Sequence, residues 1–239
     1  MQQLVLLFTK GGLQYQLIQG KKVVEDVAFF NEEEQSIDFL KEKLATCLAV
    51  PHLSAVRVIS ALNHFTMMPE GFSQHELAYD LIRYNAPVDE ENEEVMLSLN
   101  KKYKVQFYYT LPRVFYQMIK QQAPKAYFNF SGEKFLNTLQ NHGKKEIHIN
   151  LYHHQCEFFA LNGNQVVLYN NLDVNSEVDF LYFIMFTLSK IGFGLAETHF
   201  FVYGETTEND TFISELTKFV KHLKIGFDNL HQKNFIMAL

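Results

Sequence analysis

The chain lacks several features that would assign it quickly to a class. It has two cysteines and no tryptophan in 239 residues. Cys47 and Cys156 are too few to staple a small secreted scaffold, and neither sits in a Cys-x-x-Cys pair, so both read as reduced core thiols. Positive charge is also short: 21 Lys and Arg stand against 27 Asp and Glu, a formal net charge of -6. No broad basic field is available to grip a phosphate backbone, and no local basic patch replaces one, so no nucleic-acid partner is expected. Long apolar runs are missing as well. The first, Leu4 to Phe8, has five residues and no basic start, unlike a signal peptide. The longest, Phe180 to Leu188, reaches nine with Thr187 included, short of the ~20 that span a bilayer. Neither a targeting segment nor membrane insertion is expected, and the expected location is cytoplasmic.

What the chain has is apolar bulk. Hydrophobic residues make up 47% of it and aromatics 15%, with 23 Phe and 12 Tyr, which excludes disorder and leaves room for one large or two modest cores. Tyr103, Phe107, Tyr108, Tyr109, Phe115, Tyr116, Tyr127, Phe128 and Phe130 crowd the middle of the chain. Aromatics are common at interface hot spots, but strand alternation sends these inward and makes them core.

The first 30 residues predict three strands, Leu4 to Thr9, Leu13 to Gln19 and Val23 to Phe30, turning at Gly11-Gly12 and Gly20-Lys21. From Ile147 the pattern recurs as Ile147 to Tyr152, Cys156 to Leu161 and Val166 to Tyr169. An offset of 143 places Leu4 on Ile147, Leu6 on Ile149, Phe8 on Leu151, Tyr15 on Phe158 and Gly20 on Gly163. A helix follows in each copy. Asn31 with Glu32 to Glu34 predicts an acidic N-terminus before the stripe Ile37, Leu40, Leu44 and Leu48; Ser176 with Asp179 predicts a capping box opening a helix through Leu188. Asp38-Phe39-Leu40 then falls on Asp179-Phe180-Leu181. The second helix is apolar nearly all round and must be covered on more than one side. Each copy continues into a strand, Ala55 to Leu62 and Thr198 to Tyr203.

Between the copies the pattern predicts a helix over Gln74 to Tyr84, a solvated acidic connector from Asp89 to Glu94, and a strand over Tyr103 to Leu111. A helix from Pro112 to Gln122, a strand from Ala126 to Phe130 and a helix from Lys134 to Asn141 complete the stretch. After Gly204 come a helix, Asp210 to Leu223, and a last strand, Ile225 to Leu230. The expected organisation is a first half over 1–143 with an inserted subdomain at about 63–143, and a second half over 144–239. The fold class is α/β with mixed α+β sheets.

A repeated βββαβαβ chain with an insertion after the fourth strand of its first half resembles the actin-like ATPase, or ribonuclease-H-like, fold. More narrowly, the opening Leu7-Phe8-x-x-Gly11-Gly12, Met68-Pro69-Glu70, and Asn162-Gly163-Asn164 followed by Asp179-Phe180-Leu181-Tyr182-Phe183-Ile184 resemble a bacterial domain-of-unknown-function family with a degenerate actin-like fold. In active members of the broader fold, the first hairpin of each half presents backbone amides to phosphates, and an Asp ending its first strand holds the magnesium shell. The resemblance maps that vestigial nucleotide cleft onto Lys10, Gly11 and Gly12, onto Asn150, His153 and His154, and onto Gly204, where active members carry a Gly-Gly turn. It also implies lost chemistry. No Asp or Glu occurs from Met1 to Val24 or from Ile147 to Cys156; Asn150 stands where the second Asp belongs, opposite Leu7 in the first copy. The expectation is a pseudo-ATPase without cofactor or catalytic residues, working through an unknown protein partner or self-association. The alternative is a nucleotide binder without efficient hydrolysis. The missing Asp pair argues equally against a two-metal nuclease.

Two other chemistries need weighing. His142, His148, His153 and His154 with Cys156 make a zinc site imaginable, though adjacent His-His has no zinc-ligand spacing and no metal is expected. Cys156 with His148 or His154 is a possible nucleophile pair, but Cys156 lies on an apolar strand pattern that favours a buried thiol.

Overall fold

The computed structural model describes residues 2–30, 36–72, 74–140, 142–152, 155–204, 210–225 and 235–238. The chain divides into two compact units, Met1–Lys134 and Phe135–Leu239.

In the first unit, β1 (Gln2–Thr9), β2 (Gly12–Gln19) and β3 (Lys22–Phe30) form an antiparallel meander. Two-residue turns join them, and Gly20 takes the positive φ of 64° that such turns require. Helix α1 (Ile37–Leu48) returns the chain to β4 (Leu53–Ser60), parallel to β1. An excursion follows: β5 (Phe65–Pro69), a 3-10 turn, α2 (Ala78–Arg83), β6 (Glu93–Asn100) and β7 (Val105–Pro112), with strand order β5-β7-β6. The chain leaves and re-enters at one place, for Ser60 Oγ donates to the Thr110 carbonyl at 3.0 Å. Then α3 (Arg113–Gln122) leads to β8 (Tyr127–Phe130), parallel to β4, and completes a sheet of order β3-β2-β1-β4-β8. Thus β8 belongs to the first five-stranded sheet, α3 packs into that sheet's core through Phe115 and Ile119, and the separate sheet is confined to Phe65–Pro112. Helix α4 (Ser131–Thr138) runs across the division between units.

The second unit repeats the plan. β9 (Lys145–Tyr152), β10 (Gln155–Asn162) and β11 (Gln165–Asp173) are antiparallel; α5 (Glu177–Ile191) leads to β12 (His199–Gly204), and α6 (Thr211–Thr217) to β13 (His222–Ile225). Its order, β11-β10-β9-β12-β13, matches the first sheet strand for strand, with β12 parallel to both β9 and β13. The registers match too: Leu6 faces Tyr15 as Ile149 faces Phe158. Alternation decides which side chains reach each core. Leu4, Leu6 and Phe8 join Val56, Val58 and α1; Ile147, Ile149 and Leu151 join Phe200, Val202 and α5.

Several boundaries differ from expectation. Asn31 to Gln35 lie outside the described residues, and the cap of α1 is Ser36, whose Oγ accepts from the Phe39 amide at 3.2 Å. The buried stripes Leu40, Leu44, Leu48 and Phe180, Ile184, Leu188 therefore correspond, and the Asp-Phe-Leu match is one residue out of phase. The acidic run is not a free connector. Asp89 Oδ1 accepts from the amides of Glu91 and Asn92, Glu93 and Glu94 begin β6, and the Glu93 carboxylate meets His64 Nδ1 at 2.8 Å and the Thr110 hydroxyl. Helix α6 stops at Thr217 because the period breaks: Phe219 is 52% exposed, and the chain extends into β13 from His222. Residues 226–230 lie outside the described residues. The middle aromatics are core as expected, with Phe65, Phe107 and Tyr109 around Phe130 at ring distances of 5.1 to 5.4 Å; Tyr127 alone of the nine is exposed.

Ser176 caps α5 as expected, its Oγ accepting from the Asp179 amide at 3.2 Å, and Gly192 closes the helix at φ 69°. Ser176→Ala leaves that amide without its acceptor, and urea unfolding is expected to show a loss of about 1 kcal/mol.

Candidate functional site

Of the residues that the sequence points to, Lys10, Gly11 and Gly12 fall at the first hairpin turn, Asn150 within β9 and Gly204 at the end of β12. In the first unit, Thr9 and Gly12 are the last pair of the β1–β2 ladder, and Lys10-Gly11 is the whole turn. Thr9 is buried and its hydroxyl donates back to the Gly12 carbonyl at 3.4 Å, Gly12 has φ 148°, and Lys10 is exposed. Lys10, Gly11 and Gly12 are thus brought together, with one ammonium and no carboxylate among them.

In the second unit the parallel pairing of β9 with β12 sets Tyr203 beside Asn150 and Gly204 beside Leu151. Gly204 has φ 87°, and a Cβ on it would lie 2.3 Å from the Leu151 carbonyl oxygen and 2.5 Å from Asn150 Oδ1. Only glycine fits this approach of backbone to amide. The other end of Asn150 is engaged as well: Nδ2 donates to Glu157 Oε2 at 2.9 Å. Tyr152 donates to the same oxygen at 2.8 Å, and Tyr169 to Oε1 at 2.8 Å. Glu157 is fully buried, so three neutral donors carry its solvation. Asn150 and Gly204 are therefore gathered into one arrangement, whereas His153 and His154 lie outside the described residues.

The face of β9 away from α5 holds a second polar group. Glu146 is 1% exposed; its Oε1 meets His142 Nδ1 at 2.9 Å and its Oε2 meets His148 Nε2 at 3.1 Å. His148 Nδ1 lies 3.1 Å from the Tyr203 hydroxyl, and the Phe201 ring stacks on both imidazoles, at 5.2 Å from His142 and 4.8 Å from His148. Burial pushes His148 below its ordinary value of 6.5, with Glu146 opposing. Burial also acts to raise Glu146, but hydrogen bonds and charge from the two histidines outweigh it and hold the carboxyl below its usual range.

The same positions bear on the zinc and nucleophile alternatives. His148 is spent on Glu146 and Tyr203, and among the described residues no three His, Cys, Asp or Glu side chains are gathered to hold a metal ion. Cys156 belongs to the core on the α5 face, where burial pushes its thiol well up, while His148 projects from the other face, so they form no nucleophile pair.

A family of proteins of unknown function, DUF3822, matches residues 1–223. The chain belongs to this family. No curated protein matches it. Among solved structures, it is similar to a Bacteroides thetaiotaomicron protein with an actin-like ATPase fold and unknown function, at 17% identity, covering 99% of this chain and 93% of that one with a TM-score of 0.81. It is also similar to a chain of the PilM-PilN type IV pilus biogenesis complex, at 10% identity, covering 100% of this chain and 94% of that one with a TM-score of 0.58. At these identities the likeness shows the fold. This DUF3822 chain has the actin-like ATPase fold, a mixed α/β architecture with a five-stranded sheet in each half.

Sequence reasoning missed Glu157 as the partner of Asn150, Tyr152 and Tyr169, and Glu146 as the partner of the histidines. The signal was faint but present: Glu157 interrupts the apolar run from Cys156 to Leu161, and a charge inside a strand with two covered faces needs donors.

Two outcomes are expected. Asn150→Asp removes a donor and sets a second carboxylate where the Asn150 amide now lies 2.9 Å from Glu157. Denaturant unfolding at neutral pH is expected to show a loss of about 1–3 kcal/mol, shrinking in acid as the pair takes up a proton. His148 and Glu146 both have lowered values in the fold, so the unfolded chain binds protons first. Stability is expected to fall with pH, first below His148's ordinary 6.5 and again below Glu146's ordinary 4.5, and His148→Gln is expected to flatten the upper step in a pH series of thermal melts.

Proposed function

We propose that this chain is a cytoplasmic pseudo-ATPase, a scaffold that keeps the actin-like fold, has lost its phosphate chemistry, and acts by binding protein. The observation that carries the reading is the closure around Asn150. Magnesium takes hard oxygen ligands, and phosphoryl transfer needs its charge held beside the phosphates. The first turn has no carboxylate within Met1 to Val24. In the second, Asn150 replaces the acid, its amide is spent on Glu157, and both oxygens of Glu157 are occupied by donors from their own sheet. That donor set does not fit a magnesium-nucleotide complex.

The repeated strand order and register support reading the two halves as copies of one ancestral unit. Two buried free thiols support a reducing compartment, and no helix among the described residues is long and apolar enough to cross a membrane. The fold-level likeness to a chain of the PilM-PilN complex supports a role in assembly, because that fold occurs there in a protein–protein complex. The second reading, nucleotide binding without hydrolysis, rests on exposed Lys10 in the glycine turn.

Phosphate release with magnesium and ATP is expected to stay at background. Turnover that disappears in Lys10→Ala would overturn the proposal. Thermal melts with millimolar nucleotide separate the second reading, since a ligand at 100 times its dissociation constant adds about 2.7 kcal/mol, whereas the scaffold reading expects no shift.

A further inference from the structure

The outer face of α5 is left apolar. Val178, Tyr182 and Phe186 follow at intervals of four residues, which puts them on one face of the helix, and they are 74%, 60% and 49% exposed. The buried stripe Phe180, Ile184 and Leu188 already anchors the helix to its sheet, so the outer residues contribute nothing to that packing. They form an ordered patch: the Tyr182 and Phe186 rings stack at 5.7 Å with 18° between their planes, and the Lys190 ammonium lies 5.1 Å from the centre of the Phe186 ring. A helix apolar nearly all round needs cover on a second side.

The charges at its two ends point to what covers it. Asp179 lies in the first turn and Lys190 in the last, about three turns apart and nearly in line with each other, along the Phe186 edge of the patch. A stripe with acid at one end, base at the other and aromatic rings between is complementary to itself when turned end for end. Antiparallel apposition of two such helices about a two-fold axis between Tyr182 and Phe186 sets each Tyr182 against the other copy's Phe186, and each Lys190 against the other copy's Val178 and Asp179. Parallel apposition would instead place like charges together.

We propose that α5 is the contact by which two copies of this chain associate, an isologous antiparallel helix pair with Tyr182 and Phe186 at its centre and Asp179 and Lys190 at its ends. The inference rests on the scaffold reading in so far as it names one protein that the scaffold binds, but it fails separately, because self-association and nucleotide turnover are read by different assays. A single pair of helix faces makes a small interface, so the dimer is weak and concentration-dependent.

The test is sedimentation equilibrium of the full chain over a concentration series, with circular dichroism confirming that each variant is folded. The wild-type chain is expected to shift from monomer to dimer, and Phe186→Glu to remain monomeric. Asp179→Lys and Lys190→Asp, each alone, put like charges at both ends of the pair and are expected to weaken association at least tenfold. An equimolar mixture of those two variants restores both attractions in a heterodimer, and so does the double variant D179K/K190D as a homodimer. Recovery in these two samples is a readout that damage to the helix would not produce. A wild-type chain that stays monomeric throughout, single variants that associate like wild type, or a mixture that fails to recover would each overturn the proposal. So would wild-type monomer that instead co-sediments with anionic lipid vesicles through the same patch, since the occupant would then be a membrane surface.

Discussion

A carboxylate shut away from water has to be solvated by its own protein, and Glu157 organises one face of the second sheet for that reason. An isolated buried charge costs several kcal/mol, and three hydrogen bonds from neutral donors are what make it tolerable. The donors come from two strands: Asn150 and Tyr152 from β9 and Tyr169 from β11, with Glu157 itself on β10 between them. The charge therefore ties three strands together across their ladders. It also fixes Asn150, whose Oδ1 stands beside the nearer Leu151 carbonyl oxygen against any side chain at Gly204 on the neighbouring β12. A chain of contacts thus runs from one acid to the end of β12.

The two sheets share a plan and differ in how they use it. At the strand positions matching Glu157 and Asn150, the first sheet carries Gln14 and Leu7, both buried and neither charged. On the face away from α1 the first sheet mixes Val5, Leu7 and Ile59 with the neutral amides of Gln14 and Gln16, where the corresponding face of the second carries the ionisable Glu146, His148 and Glu157. One backbone template thus carries two different buried faces. The two sheets differ in the partnering of their side chains rather than in backbone course.

Much of this was legible in the residues because the physics behind it is local. Leu4, Leu6 and Phe8 announce a strand by alternation, Gly20 and Gly163 mark turns that need positive φ, and Ser176 three residues before Asp179 marks a helix start. Ser36 was hidden because four polar residues before it offered a better-looking acidic start. The strand β6 was hidden because Glu93 and Glu94 look like solvated loop until His64, Thr110 and Arg113 are seen to hold them; Arg113 Nε lies 3.3 Å from Glu94. The closure at Asn150 shows in the sequence only as one acid inside an apolar strand. Its three donors, Asn150, Tyr152 and Tyr169, stand 7, 5 and 12 residues from Glu157, yet the contacts depend on strand registers that no single segment specifies.

The hydrogen bond from Ser60 to the Thr110 carbonyl has a wider meaning for the three-stranded excursion. Because departure and return are stitched at one point, everything from Phe65 to Thr110 is in effect one very long hairpin loop hung on the end of β4. Lengthening or shortening such a loop changes its closure entropy only logarithmically, roughly 0.6 kcal/mol per doubling. Length is therefore not what ties the excursion to the frame; contacts are, since Ser98 Oγ donates to Asn129 Oδ1 at 2.8 Å and Phe65, Phe107 and Tyr109 surround Phe130, so an appendage exchanged at this corner would have to re-cover the end of β8.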